Sequence, residues 1–98
     1  MSKKLTKNKK KILVYLEKKY QELEICSIGF MEMYLPNYLT IESIKNYVRD
    51  LIELNYIEQI DNPYFNGKAY TITKKYAKKR ESLISNEEKE DLLWEMTL

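Results

Sequence analysis

The sequence predicts a mostly helical α+β domain in which three helices and a β-hairpin are followed by an added C-terminal helix. The 98 residues include only two glycines and two prolines, so few sharp turns are expected. The hydrophobic period is helical up to about residue 54 and changes to two from Tyr56 to Thr73. Ser27, Thr40 and Thr73 precede apolar-periodic segments and are therefore predicted N-caps.

Three helices are predicted before the hairpin. Helix 1 is expected at about residues 8–22, and a short β-compatible segment at 24–26 follows it. Helix 2 is expected at 28–35, where Pro36 ends it, and helix 3 at about 41–54. The residues expected on the buried face of helix 1 are Ile12, Leu13, Leu16, Tyr20 and Leu23.

The second half of the chain begins with two predicted strands, at 56–60 and 69–73. Asn55 precedes them at a position that favours a left-handed helix C-cap, and Asn66-Gly67 supplies the hairpin turn. A helix is expected from Lys74 to about Ile84. The spacing of Ser85 and Glu88 is that of a capping box, which predicts a further short helix.

Two segments of this pattern resemble the winged helix-turn-helix family of DNA-binding domains. In SIKNYVRDLIELNYIEQI, Leu51, Asn55 and Tyr56 match the end of the family's recognition helix, with Asn in place of Gly. In AYTITKKYAKK, Tyr70, Ile72 and Thr73 are similar to the wing's return strand and exit. The resemblance covers about residues 9–80 and favours no subfamily. It implies a three-helix core with a β-hairpin wing, which we expect at residues 9–80. The charge pattern places a basic arm before this domain (residues 1–8) and an acidic helical extension after it (residues 81–98).

The resemblance implies that helix 3 enters the major groove of double-stranded DNA while the wing approaches the minor groove or phosphates. On that basis the groove-facing side of helix 3 includes Glu42 and Asp50 beside its candidate contacts. The expected DNA-binding residues are Ser43, Lys45, Asn46 and Arg49 of helix 3, Lys68 of the wing, and Lys9, Lys10 and Lys11 of the arm. Tyr64 and Phe65 at the wing tip are expected to contact DNA or a protein, or to fold back onto the domain.

The charges of helix 3 are unfavourable for DNA binding. Between residues 42 and 53 it has two basic and three acidic side chains, and counting 100° per residue places Asp50 among the outward positions. A net acidic face favours a second function, in which the same fold is a protein-interaction module or inhibitor of the kind that phages and mobile elements encode. Its partner would bind through helix 3 and the aromatic wing tip.

The charge distribution is asymmetric along the chain. Residues 1–80 carry sixteen Lys/Arg and nine Asp/Glu, a net charge of +7, whereas residues 81–98 carry one Lys and six acids, a net charge of −5. The extension could pack on a second subunit as a homodimer, on helix 1, on another protein, or over the basic body. Its candidate interface residues are Leu83, Leu92, Leu93, Trp94 and Met96.

Residue types that are rare or missing exclude several function classes. The chain has no histidine, which removes the commonest general base and metal ligand, and it lacks a Gly-rich phosphate loop. We therefore expect a non-enzyme with no catalytic residue, no metal and no cofactor. Cys26 is expected to be a small buried residue, and a single cysteine favours a reducing, cytoplasmic setting. No apolar run is long enough for a membrane span.

Overall fold

The computed structural model describes residues 4–62 and 67–96, and these form an α+β domain that is mostly helical. The chain order is helix, isolated bridge, two helices, hairpin and two helices, which confirms the order predicted from the sequence. The elements are α1 (Lys7–Gln21), α2 (Ile28–Tyr34), α3 (Ile41–Glu53), β1 (Ile57–Asn62), β2 (Gly67–Ile72), α4 (Lys74–Leu83) and α5 (Asn86–Met96). None of the described helices combines the length and apolar character needed to cross a membrane.

One residue before α2 forms a backbone bridge to the hairpin, whose residues Ile57, Tyr70 and Ile72 belong to the core. Strands β1 and β2 are antiparallel, with Ile57 opposite Ile72. On its other edge β2 pairs with Cys26: the backbone N–H of Tyr70 donates to Cys26 O at 2.8 Å, and that of Cys26 to Tyr70 O at 3.3 Å. The β-compatible segment predicted at 24–26 is thus a single bridge, which makes β2 the middle strand.

Each predicted N-cap is confirmed by a hydrogen bond to the third residue after it. Thr40 Oγ1 accepts from the backbone N–H of Ser43 at 3.2 Å, and the equivalent bonds are made by Ser27, Thr73 and Ser85. Asn55 has φ 63°, so the predicted left-handed position after α3 is also confirmed. These caps fix where α3 starts and ends.

Helix α1 lies at the centre of the core, so its buried residues differ from those predicted from the sequence. Residues 11–16 of α1 are all buried, so the buried surface surrounds this part of the helix, and Lys11 is buried although its type is charged. The expectation that Tyr20 and Leu23 belong to the buried face is wrong, since both are exposed. For Leu23 the physical reason is that α1 ends at Gln21 and Leu23 adopts φ 61°, so the helical period does not continue to this residue.

Helix α5 packs antiparallel along α1. Lys7 near the start of α1 is 2.7 Å from Glu95 near the end of α5, and Glu17 later in α1 is 3.6 Å from Lys89 near the start of α5. Glu17 also lies 3.2 Å from the buried Arg80 of α4. The chain itself therefore shows the packing of the extension on helix 1 that was one of the expected alternatives.

Candidate nucleic-acid interface

The outward face of α3 carries three of the predicted DNA-binding side chains. Lys45, Asn46 and Arg49 are exposed, while Ile44, Val48 and Leu51 bury the opposite side of the helix. The guanidinium Nη2 of Arg49 donates to Asn46 Oδ1 at 3.2 Å, which keeps the two polar groups together. Ser43, the fourth, is partly buried and accepts a hydrogen bond from the Thr40 hydroxyl at 3.1 Å.

Asp50 does not belong to the outward face, and the expectation that placed it there is wrong. Its carboxylate is 3.2 Å from the ammonium of Lys9, and the two side chains are 22% and 8% exposed. The reason is that α3 packs on α1, so a position that looks outward on an isolated helix faces a neighbouring helix. The charged residues that remain exposed on α3 are Glu42, Lys45, Arg49 and Glu53, whose formal charges sum to zero.

Lys9, Lys10 and Lys11, which are expected to contact DNA, lie in α1, in agreement with the helix predicted from about residue 8. The predicted arm boundary at residue 8 falls inside this helix, which begins at Lys7 with Thr6 as its N-cap. Lys9 pairs with Asp50, and Lys10 Nζ is 2.6 Å from Glu88 Oε1. The ammonium of Lys11 contacts the Tyr38 hydroxyl and lies 3.8 Å from Glu95. These lysines therefore act as cations that join α1 to α3 and α5, and their contact with DNA remains a prediction.

The wing residues fall in two groups. Lys68 is exposed on β2, opposite Asp61 in the strand register. Tyr64 and Phe65 lie outside the described residues, so the contacts expected of the wing tip stay predictions. The part of the wing that is described therefore contributes one exposed cation to the candidate interface.

The five expected interface residues of the C-terminal extension separate in the structure. Leu92 and Met96 are 2% and 3% exposed and belong to the core of the single chain, so they are not available to a second subunit. Leu83 and Leu93 are partly buried against the same core. Trp94 is 82% exposed. Trp94 is therefore the apolar centre of an interface on this helix. Its packing on a second subunit stays a prediction.

An aromatic surface on α2 was not anticipated as a site. Phe30 and Tyr34 stack with ring centroids 6.4 Å apart, and Met33 beside them is 70% exposed. The two rings border a pocket of about 480 Å³ that also contains Lys19 and Cys26. Burial raises the pKa of the Cys26 thiol, which keeps it protonated and unreactive. Cys26 is thus the small buried residue that the sequence predicts.

Two charged surfaces near the C-terminus were also not predicted from the sequence. Four lysines, Lys74, Lys75, Lys78 and Lys79, are exposed on α4. Their spacing places them on adjacent rows of one helix face, and this signal is already visible in KKYAKK. On α5, the exposed residues Glu87, Glu90 and Asp91 precede Trp94 by seven, four and three positions and share its face. We call these surfaces the lysine face of α4 and the acidic face of α5.

Comparisons with known proteins add no relative to this description: no family model, curated protein or solved structure matches the chain. We therefore infer the function from the side chains themselves.

Proposed function

We propose that this chain is a small DNA-binding protein of the winged-helix type, a transcriptional regulator whose α3 enters the major groove of double-stranded DNA. The observation that carries the proposal is the outward face of α3, where Lys45, Asn46 and Arg49 are exposed within two helical turns. The order of the described elements and the bridge at Cys26 support it, because they match the expected layout. That the regulator acts as a homodimer is part of the same proposal.

The three side chains have the chemistry that base edges require. An arginine fork donates two hydrogen bonds to guanine O6 and N7, and an asparagine amide pairs with adenine N6 and N7. The hydrogen bond between Arg49 and Asn46 holds both groups on one face before any ligand arrives. Lys45 can bind a phosphate or guanine, and the exposed carboxylate of Glu42 can accept from cytosine N4. The pairing of Asp50 with Lys9 removes one acid from this face.

Selection of bound sequences from a random duplex library, followed by affinity measurement on the enriched sequence, tests the proposal. Arg49→Ala is expected to weaken binding about tenfold or more and to relax the preference at one base pair. Lys18→Ala is the matched control, because it removes a positive charge from α1 where Lys18 pairs with Glu22. Failure to enrich any sequence would contradict the proposal, as would equal losses for the two variants.

A second candidate function is a protein-interaction module, and the aromatic surface of α2 favours it. Phe30, Met33 and Tyr34 place three exposed apolar side chains on a seven-residue helix, and exposed aromatic residues are typical of interface hot spots. The variant Met33→Ser with Tyr34→Ser should abolish binding to a captured partner while leaving duplex binding unchanged. If the double variant lowers thermal stability instead, the surface belongs to the fold.

A further inference from the structure

The acidic face of α5 surrounds the most exposed large aromatic side chain that the structure describes. Trp94 is 82% exposed, and Glu87, Glu90 and Asp91 lie on the same side of the helix. Lys7 and Lys10 of α1 line the same pocket as Asp91 and Trp94, and they pair with Glu95 and Glu88 of α5. An exposed indole ring framed by carboxylates is suited to a partner that is both cationic and able to cover an apolar ring.

The lysine face of α4 has the complementary character. Lys74, Lys78 and Lys79 are exposed on two turns of helix, while Lys75 Nζ donates to Leu54 O at 3.3 Å and lies 5.5 Å from the centre of the Tyr56 ring. Tyr76 and Arg80 bury the opposite side. The first turn of α4 adds the positive end of the helix dipole to the same region. Lysine stems are apolar over four carbons, so this face can cover an aromatic ring while its charges meet carboxylates.

Among the residues that the structure describes, no ion pair joins the lysine face of α4 to the acidic face of α5 within one chain. Only Ile84 and Ser85 separate α4 from α5, and Ile84 is fully buried, which anchors the connection in the core. Helix α5 is meanwhile held along α1 by the ion pairs of Glu88, Lys89 and Glu95. Both faces are therefore presented to solvent, and each copy of the protein carries one of each.

We propose that the acidic face of α5 in one copy of this chain docks on the lysine face of α4 in a second copy. Opposite charges meet across the contact, and the Trp94 ring packs against lysine stems with their ammonium groups above its face. A two-fold arrangement uses both faces of both copies and closes as a dimer. This contact rests on the homodimer of the proposed function and names the two faces that form it, and it needs no DNA.

The size and chemistry of the contact predict its strength. Two helix faces bury less surface than the roughly 800 Å² per partner of a stable interface, so the dimer should be weak. Its attraction is mainly between exposed charges and should decrease as salt rises. We therefore expect a dimer that dissociates on dilution and at high ionic strength.

A charge-swap experiment tests the proposal with two variants of exposed residues. The first reverses the lysine face (Lys74→Glu with Lys78→Glu), and the second reverses the acidic face (Glu90→Lys with Asp91→Lys). Each variant alone brings like charges together and should be monomeric by light scattering at a concentration where the unchanged protein is dimeric. An equimolar mixture should dimerise again, because each reversed face then meets its opposite. A change in folding alone cannot produce this rescue.

The chain's one tryptophan supplies a second measurement, since Trp94 alone determines the indole emission. Its emission maximum should shift to the blue as protein concentration rises about a hundredfold, and high salt should reverse the shift. A monomer at every concentration would overturn the proposal, and so would a mixture of the two variants that stays monomeric. If the lysine variant lost duplex binding without any change in association state, α4 would be a nucleic-acid surface instead. Loss of duplex binding on Arg49→Ala with the dimer intact separates this inference from the proposed function.

Discussion

The lysines at the start of α1 and those at the start of α4 look alike in the sequence but lie in different environments. Lys7, Lys9, Lys10 and Lys11 pair with acids of α3 and α5. The lysine face of α4 is exposed to solvent. The lysines at the start of α1 join helices, whereas those of α4 form an exposed surface. A run of positive charge in a sequence therefore does not show how much positive charge the folded protein presents.

The difference follows from the position of each helix. Helix α1 is central, so even its polar residues meet other helices, and Lys9 and Lys11 extend their stems through the core boundary to reach carboxylates. Helix α4 buries Tyr76 and Arg80 and partly buries Leu83, while Lys74, Lys78 and Lys79 remain exposed. The stability of the fold should therefore respond to the first cluster and its partners, and association should respond to the second.

The largest expected effect on stability is from Asp50→Asn. This change removes the carboxylate beside Lys9, whose side chain is 8% exposed, and leaves a nearly buried ammonium without that anion. We expect a loss of about 2 kcal/mol in the free energy of unfolding, less than for a fully buried pair because Asp50 is partly exposed. Urea denaturation measures it. Glu32→Gln, at an exposed position on α2, is the control, and an equal loss there would contradict the role given to the pair.

The pH dependence of the α1–α5 contact is the next expected effect. A hydrogen bond from Lys7 and the charges of Lys7 and Lys11 hold the pKa of Glu95 below its ordinary value, against a smaller opposing effect of burial. Because the folded pKa is the lower one, this pairing stabilises the fold above pH of about 4.3 and is lost as pH falls through the folded pKa. Denaturation curves between about pH 6 and pH 3 should lose stability faster than those of Glu95→Gln. Parallel losses would show that Glu95 contributes nothing.

A smaller effect is expected from the pair of Lys10 and Glu88, 2.6 Å apart and partly exposed. A double-mutant cycle with Lys10→Gln and Glu88→Gln should give a coupling energy of about 0.5 kcal/mol. Raising the salt concentration should reduce that coupling, because the pair is accessible to ions. A coupling of zero at low salt would remove this pair from the contacts that hold α5.

The smallest effect on stability is expected at the lysine face of α4. Lys74→Gln should change the free energy of unfolding by less than about 0.5 kcal/mol, since Lys74 is exposed. The same change should weaken self-association in light scattering. A large loss of stability would mean that this face is held by contacts within the chain, and the distinction between the two clusters would fail.

The sequence predicts the local parts of this structure and misses the parts that depend on packing between helices. Thr40 and Asn55 mark the ends of α3 because caps act over three or four residues. The inward position of Asp50 depends on α1, which is distant in the sequence, so counting angles on an isolated helix cannot find it. The burial of Leu92 and the exposure of Trp94 were predictable, because residues two apart lie on opposite sides of a helix.

The central proposal is that α3 contacts DNA more directly than the start of α1, whose lysines pair with acids within the chain. Its most direct test is the salt dependence of duplex affinity for Lys45→Gln and Lys10→Gln, which remove the same charge from the two sites. The account predicts that Lys45→Gln reduces the slope of log affinity against log salt by about one, while Lys10→Gln leaves it unchanged. A reduced slope for Lys10→Gln with an unchanged slope for Lys45→Gln would contradict the claim.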